Sequence, residues 1–291
     1  MRTLERQRFE MRRPAGDEIA AFTRALAAWD VQDPLGTGLR GGDFGWLCRN
    51  GDDWITANTR IWADDVGRVV AGGVIEDQEG LLVQIDPARL DDRDLAAAIV
   101  DGVQADGIRE VSGPGAPAAL RAELARRGAA IDPSPWPHLW RRLTDDDLAD
   151  DPNVVSTRTD ALIEQRVAVQ RSAFERSTFT REKWDAMAAG PLFRPELDLL
   201  ALNDAGAGVA ALTAWWSGPG ACGVIEPMGT HRDFWRQGHG SRVLRASFAA
   251  LRRLGAEGVR VFTGRENTAA LAAYASVGFR TIGYDTTLRL P

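Results

Sequence analysis

Hydrophobic and polar positions in the second half of the chain follow two different periods. Over residues 241–254, apolar residues recur every three to four positions, which predicts an amphipathic helix that Gly255 ends. Short apolar runs bounded by turn residues predict strands. The predicted elements are helices at 161–174, 181–189, 241–254 and 267–277, and strands at 197–202, 208–216, 221–229, 258–263 and 281–290. This order is typical of an α/β (α+β) fold, in which helices flank a mixed sheet.

The end of the first half repeats the end of the second half at a constant offset. Residues 107–113 align with 258–264, and residues 118–120 align with 269–271. In both halves the repeated unit is a helix, a strand, a second helix, a glycine that ends it, and a further strand. Such self-similarity predicts that the two halves share one fold.

An acidic segment separates the halves. Residues 144–153 hold five aspartates and a proline and have almost nothing to bury. This composition favours a solvated linker over the alternative, an acidic loop that binds a ligand. We therefore expect one domain at 1–143 and a second at 154–291.

Composition and charge narrow the classes of function. A chain of 291 residues with 44% hydrophobic residues is long enough to bury one large core or two ordinary ones. No apolar run approaches the ~18–20 residues of a membrane span, and the charged residues 1–13 lack the apolar core of a signal peptide. We expect a cytoplasmic protein, monomeric or homodimeric, without a membrane partner. The net charge of −6 argues against a nucleic-acid partner, and the two cysteines and three histidines show no metal-ligand spacing.

The strongest chemical signal lies between the strand at 221–229 and the helix at 241–254. Gly238 and Gly240 form a G-x-G sequence directly before the helix. Glycine lets the backbone approach a ligand, and the first turn of a helix offers amides without partners, so the pattern suits a phosphate or pyrophosphate. A tight turn without a ligand would have the same sequence. Val243 replaces the third glycine of a dinucleotide fingerprint, and no lysine is available here for a P-loop.

Two motifs of this half resemble those of the GNAT superfamily of acyltransferases. The glycine loop is similar to the family pattern [Q/R]-x-x-G-x-[G/A]. Asn267 and Tyr274 belong to a second pattern, N-x-x-A-x-x-x-Y-x-x-x-G-F, at the family spacing from the loop. The chain departs from the first pattern at its leading position, where Trp235 stands and Arg236 is displaced by one residue.

The first half resembles the same fold but lacks the residues of the two motifs. It has no glycine between Gly80 and Gly102, and Ala116 stands where the second half has Asn267. The resemblance therefore implies two tandem GNAT-like domains, each a mixed, mostly antiparallel sheet flanked by helices. In this plan, similar to that of mycothiol synthase, the first domain is degenerate.

The resemblance also implies a reaction and a set of site residues. An N-acetyltransferase of this family uses acetyl-CoA as cosubstrate and transfers the acetyl group to a primary amine of a small molecule or peptide by direct attack in a ternary complex. Glu226 would be the base, directly or through water, and Tyr274 would protonate the CoA thiolate. The implied cofactor-binding residues are Met228, Gly229, Thr230, Arg236, Gln237, Gly238, His239, Gly240, Ser241 and Asn267. The aromatic residues expected near the acceptor are Phe174, Phe179, Trp215 and Trp216.

The residues alone leave other interpretations open. Glu226 could be a structural carboxylate, Tyr274 a core residue and Asn267 a helix cap. Trp235 and the degenerate first half motivate an alternative function, a regulatory or structural module that binds acyl-CoA without turnover. A nucleotide-binding protein of another fold could use the same glycines for a different phosphate.

Overall fold

A computed structural model describes residues 9–36, 38–76, 80–112 and 118–291. Its helices are α1 (Glu18–Gln32), α2 (Gly41–Leu47), α3 (Asp52–Asn58), α4 (Arg93–Ala105), α5 (Ala118–Arg126), α6 (Asp160–Ala173), α7 (Arg181–Ala188), α8 (His239–Leu254) and α9 (Thr268–Ser276). Its strands are β1 (Glu10–Arg12), β2 (Thr59–Ala63), β3 (Val69–Ile75), β4 (Gly80–Ile85), β5 (Glu110–Ser112), β6 (Ala130–Ile131), β7 (Trp136–Arg142), β8 (Val154–Ser156), β9 (Asp198–Leu202), β10 (Gly208–Trp215), β11 (Gly223–Thr230), β12 (Gly258–Phe262), β13 (Arg280–Asp285) and β14 (Thr287–Arg289).

These elements form two compact units. The amino-terminal unit comprises Met1–Arg40, Asp52–Pro137 and Gly283–Pro291, and the carboxy-terminal unit comprises Gly41–Gly51 and His138–Ile282. The predicted domains 1–143 and 154–291 differ from these units in three segments. Residues 41–51 and 138–143 belong to the carboxy-terminal unit, and residues 283–291 belong to the amino-terminal unit.

Each unit contains one sheet of seven described strands. The amino-terminal sheet has the order β1-β2-β3-β4-β5-β14-β6, and the carboxy-terminal sheet has the order β13-β7-β12-β11-β10-β9-β8. In the first sheet β4 and β5 run parallel and the other neighbours run antiparallel. In the second, β11 and β12 run parallel, while β8-β9-β10-β11 and β7-β12 pair antiparallel. The expected fold class, two mixed and mostly antiparallel sheets flanked by helices, is confirmed.

The pairing of two strands, β7 and β14, explains why the predicted domain boundaries differ from those of the two units. The strand that ends the first half, β7, pairs with β12 along Gly258–Phe262. The strand predicted at 281–290 is two strands, and its second part, β14, pairs with β5 and β6. Each sheet therefore contains a strand from the other half of the sequence. Alternation of apolar residues fixes the faces of a strand but not its neighbour, so the pattern could not reveal this exchange.

Helix α8 follows the predicted amphipathic pattern. Leu244, Phe248 and Leu251 are buried on one stripe within the core of the carboxy-terminal unit. Gly255 adopts a left-handed φ of 103°, and its amide donates to the last turn of the helix. The apolar period and the glycine stop thus placed this helix correctly.

The acidic segment 144–153 pairs with helix α8. It contains a short 3₁₀ turn at Asp145–Asp147, and its aspartates form ion pairs with arginines of α8. The pairs are Arg252–Asp145 at 2.8 Å, Arg253–Asp150 at 2.7 Å and Arg242–Asp151 at 2.9 Å. The segment stays mostly exposed to solvent while it pairs with a complementary helix face.

Candidate active site

Two strands of the carboxy-terminal sheet separate where the site begins. The parallel strands β11 and β12 share a register at Gly223–Val259 and Val224–Arg260. Beyond these pairs β11 continues along β10 as far as Thr230, while β12 continues along β7. From Ile225 onward, β11 therefore leaves its parallel partner. Glu226 is the next residue of β11 and is half-buried.

The connection from β11 to α8 leaves the helix start open. Gly238 precedes the helix with a left-handed φ of 82°, and no side chain caps it. The first backbone hydrogen bond of the helix is that of the Arg242 amide, which donates to the Gly238 carbonyl oxygen at 3.0 Å. The amides of residues 239–241 lie before this bond and have no acceptor within the helix. They and the positive end of the helix dipole can receive an anion.

Gly240 is required for close packing at the same turn. A Cβ atom at this position would lie 2.9 Å from Met228 Cε and 3.1 Å from Thr230 Oγ1. The absent side chain lets the first turn of α8 lie against the end of β11. Three residues predicted to bind the cofactor are thereby brought together.

A cavity of about 370 Å³ borders this turn. Gln237, Gly238 and His239 line it, together with Arg242 and Arg245 of the next helical turn. Asp151 also lines the cavity and holds Arg242 at 2.9 Å. The cavity therefore combines helix amides with two guanidinium groups, which suit phosphate oxygens, and with Asp150 and Asp151, the second of which neutralises Arg242.

Trp235 has a structural role in the loop. Its indole nitrogen donates to the Thr230 carbonyl oxygen at 2.9 Å, although the ring is 60% exposed. Arg236 follows it with a left-handed φ of 61° and an exposed side chain. The tryptophan at the unusual motif position thus closes the turn between β11 and α8.

The corresponding helix of the amino-terminal unit begins differently. Asp92 caps α4, and its carboxylate accepts from the amides of Asp94 at 3.1 Å and Leu95 at 3.0 Å. These amides are occupied, and the carboxylate would repel a phosphate. The first half therefore lacks both the glycines and the open amides of α8.

Glu226 and Tyr274 act on each other electrostatically. Tyr274 lies in α9, is 5% exposed, and packs edge-on against Phe279. Burial raises the pKa of its phenol well above the ordinary value, and the negative charge of Glu226 raises it further. The phenol of Tyr274 is thus neutral throughout the physiological range. Next to this pair, the Trp215 indole donates to the Glu226 carbonyl oxygen at 2.6 Å.

Asn267 caps the helix that carries Tyr274. Its side-chain oxygen accepts from the Ala270 amide at 3.1 Å. The cap orients α9 and leaves the side-chain nitrogen of Asn267 available for a ligand.

The four predicted aromatic contacts divide into two pairs. Phe174 and Phe179 line a cavity of about 780 Å³ together with Glu226. The side chains of Trp215 and Trp216 are buried in the core, 2% and 6% exposed, and neither lines this cavity. We therefore correct their assignment from acceptor contacts to core residues. The strand directs them to opposite faces, as its alternation requires, but both faces are covered by helices.

Sequence reasoning missed the part of this cavity that comes from residues 41–51. Trp46 and Arg49 line it, and Trp46 packs on Phe179 with ring centroids 5.4 Å apart. Trp46 belongs to α2, which can lie close to the sheet because Gly45 has no side chain. A Cβ atom at this position would overlap the Trp215 ring. The glycine-rich sequence of α2 was the available signal for this close packing.

A buried ion pair holds two of the residues that line the cavity. Arg166 and Asp198 are fully buried and joined at 3.3 Å. Asp198 also accepts from Trp184 Nε1 at 2.9 Å, from Thr213 Oγ1 at 2.6 Å and from the Thr157 hydroxyl. The guanidinium in turn donates to Gln170 Oε1 at 3.1 Å and lies 5.5 Å from the Phe179 ring centroid. Gln170 and Phe179, which line the cavity, are thus fixed by this network.

Two other features are absent from the described residues. These residues contain no group of three histidine, cysteine or acidic side chains that could hold a metal ion. None of the described helices is both long and apolar enough to cross a membrane.

Part of the chain is similar to a known protein family. Residues 159–279 match the family model described as Acetyltransferase (GNAT) family. No curated protein matches the chain significantly in sequence.

Solved structures resemble the whole chain in fold. A GCN5-related N-acetyltransferase from Sphaerobacter thermophilus is 17% identical with a TM-score of 0.59, covering 97% of this chain and 95% of its own. A tandem GNAT protein from the clavulanic acid biosynthesis pathway is 16% identical with a TM-score of 0.58, covering 97% and 98%. Saccharomyces cerevisiae N-myristoyltransferase with bound myristoyl-CoA is 10% identical with a TM-score of 0.56, covering 97% and 79%. At these identities the likeness concerns the fold alone.

Proposed function

We propose that the protein is an acyltransferase that transfers an acetyl group from acetyl-CoA to a primary amine, because residues 159–279 match the model of the Acetyltransferase (GNAT) family. The acceptor amine, on a small molecule or peptide, attacks directly in a ternary complex. One observation carries the proposal. The carboxylate at the point where β11 leaves β12 raises the pKa of a buried tyrosine, and Ser241 in the open first turn of α8 hydrogen-bonds Ser276 of the helix that carries this tyrosine.

The start of α8 would hold the pyrophosphate of the cosubstrate. The amides of residues 237–241 provide donors, and the exposed guanidinium of Arg236 adds positive charge. Residues 228–230, at the end of β11, would hold the pantetheine arm through backbone groups. Asn267 would contribute its side-chain nitrogen while still capping α9. Together these residues position the thioester for attack.

Glu226 would accept the proton that an ammonium must lose before its nitrogen can attack, directly or through one water. A carboxylate is ionised at neutral pH, so it is ready to take part as a base. Tyr274 would give its proton to the sulfur as the carbon–sulfur bond breaks. Its raised pKa keeps the hydroxyl protonated before the reaction.

Replacing Tyr274 with phenylalanine tests the role of the hydroxyl. We expect kcat to fall about 10- to 100-fold, near the lower end of general-acid effects because a thiolate is already a good leaving group. The dissociation constant for CoA should change less than about twofold, since the benzene ring still fills its place in the core. Steady-state rates and calorimetric titration check the two parts. An unchanged kcat would make Tyr274 a core residue only.

Release of free thiol from acetyl-CoA in the presence of a panel of primary amines tests the function itself. Wild-type protein should release thiol only when an accepted amine is present, and Glu226→Gln should lower kcat/KM by about 10²–10⁴-fold. If CoA binds but no amine accelerates thiol release, the protein is a module that binds acyl-CoA without turnover. If ATP or NAD raises the melting temperature and CoA does not, the glycines serve another nucleotide.

A further inference from the structure

The cavity beside Glu226 has the dimensions of a small-molecule site. Its volume of about 780 Å³ lies within the range of roughly 300–1,000 Å³ that such sites usually have. Glu226 and Pro227 come from β11, and the other walls come from the connection between α6 and α7, from the start of α7, and from Trp46 and Arg49. The proposed base therefore opens into a defined space where an acceptor can be recognised.

Positive side chains outnumber negative ones in the lining. Arg49, Arg176 and Lys183 face two carboxylates, those of Glu175 and Glu226. Glu226 is a carboxylate until it accepts the proton, so the lining holds three cations against two carboxylates while an acceptor binds. An acceptor whose second charged group is cationic would be repelled by this lining, and an anionic group would be attracted.

Lys183 is the cation best placed to hold an anionic group. It is half-buried, it is the only lysine in the chain, and its ammonium donates to Thr178 Oγ1 at 2.8 Å. Among the described residues, no carboxylate lies within ion-pair distance of Lys183 or of Arg176. Lys183 also lies in the first turn of α7, where the helix dipole adds to the positive potential. A ligand anion would neutralise charge that the protein leaves uncompensated.

The remaining wall is aromatic and fixed in place. Trp46 packs on Phe179, and the guanidinium of Arg49 lies 4.0 Å from the Trp46 ring centroid. Phe179 is held from behind by the buried Arg166. This wall favours an apolar or aromatic body between the charged ends of a ligand.

We propose that the acceptor is an amine that also carries a carboxylate or a phosphate, and that Lys183, assisted by Arg176, binds this anionic group and determines specificity. The inference rests on the proposed acetyl transfer. In that step one ammonium proton passes to Glu226, the amine nitrogen bonds to the acetyl carbon, the carbon–sulfur bond breaks, and the sulfur takes the proton of Tyr274. The second proton lost by the nitrogen restores the Tyr274 hydroxyl, and Glu226 releases its proton to solvent. The sum converts an ammonium and a thioester into an amide, a thiol and one released proton.

Matched pairs of acceptors test the proposal. L-phenylalanine is compared with 2-phenylethylamine and with phenylalanine amide, and O-phosphoethanolamine is compared with ethanolamine. The wild type should prefer the anionic member of at least one set by tenfold or more in kcat/KM. The carboxylate set and the phosphate set distinguish the two sources of the anion. Phenylalanine amide controls for basicity, because its amine is less basic than that of the free amino acid.

Variants of Lys183 connect the preference to the side chain. In Lys183→Met the ratio of kcat/KM between anionic and neutral partners should fall to near one, whereas Lys183→Arg should retain most of it. Arg171→Met removes an exposed cation that does not line the cavity and should leave the ratio at its wild-type value. Equal use of neutral and anionic amines by the wild type would overturn the proposal while leaving acetyl transfer intact. Failure of every amine to release thiol would instead overturn the proposed function.

Discussion

Replacing Gly238 with valine is expected to raise the dissociation constant for CoA by at least about 100-fold. Gly238 has a φ of 82°, a left-handed conformation that a β-branched residue strongly disfavours. Relaxation of this residue would turn the first amides of α8 away from the pyrophosphate. Charge-assisted hydrogen bonds are worth about 1.5–3 kcal/mol each, so the loss of two would reach or exceed that factor. Calorimetric titration of CoA measures the change.

A second glycine provides a matched control for strain. Gly206 has a φ of 78° in the turn between β9 and β10, and like Gly238 it has open space where a Cβ would lie. Gly206→Val therefore introduces similar backbone strain away from the helix start, and its affinity for CoA should stay within about twofold of the wild type. If both variants lose binding equally, the loss reflects folding. If Gly238→Val keeps its affinity, the start of α8 is not the phosphate site.

Replacing Asp198 with alanine is expected to lower the free energy of unfolding by about 3–5 kcal/mol, which is the usual cost of leaving one partner of a buried ion pair alone. The change would strand the fully buried guanidinium of Arg166. It would also remove the acceptor for Trp184 and Thr213. Urea denaturation of the variant and wild type measures the difference.

Two controls separate this effect from a general loss of charge. Arg166→Leu combined with Asp198→Leu removes both charges and should destabilise less than Asp198→Ala alone, because no buried ion is left without a partner. Asp185 pairs with Arg181 on the surface of α7, so Asp185→Ala should cost less than about 0.5 kcal/mol. A double variant less stable than Asp198→Ala would contradict the assignment of the penalty to a stranded charge.

The local features of the carboxy-terminal unit were predictable because they depend on neighbouring residues. The period of α8, its glycine stop and the cap at Asn267 each involve positions within a few residues of one another. The glycine loop and the second motif also indicated where β11, α8 and α9 would bring their side chains together. The roles assigned to Glu226 and Tyr274 stay predictions until their variants are measured.

Features that depend on distant parts of the chain were not predictable. The exchange of β7 and β14 between sheets involves partners that no local pattern specifies. The contribution of residues 41–51 to the cavity depends on close packing at Gly45. Arg166 lies in an amphipathic helix where an arginine is ordinarily expected at the surface, and the charge that compensates its burial comes from the distant Asp198.

The ion pairs of the acidic segment could not be predicted either, because their partners are distant in the sequence. The five aspartates of residues 144–153 have the composition of a solvated linker, and the arginines that pair with three of them are about 90 to 110 residues further along the chain. The helix cap at the start of α4 was likewise not predicted from the sequence of the first half. The missing glycines indicated a degenerate repeat, but the carboxylate of Asp92 on the amides of α4 gives the physical reason to expect no phosphate there.

A structure determined with CoA bound would test the central claim most directly. We expect one CoA per chain, with its pyrophosphate on the amides of residues 238–241 and its sulfur within hydrogen-bond distance of the Tyr274 hydroxyl. The space between that sulfur and Glu226 should open into the cavity lined by Phe174 and Phe179. A CoA molecule bound at the start of α4, or a sulfur atom remote from Tyr274, would contradict the account.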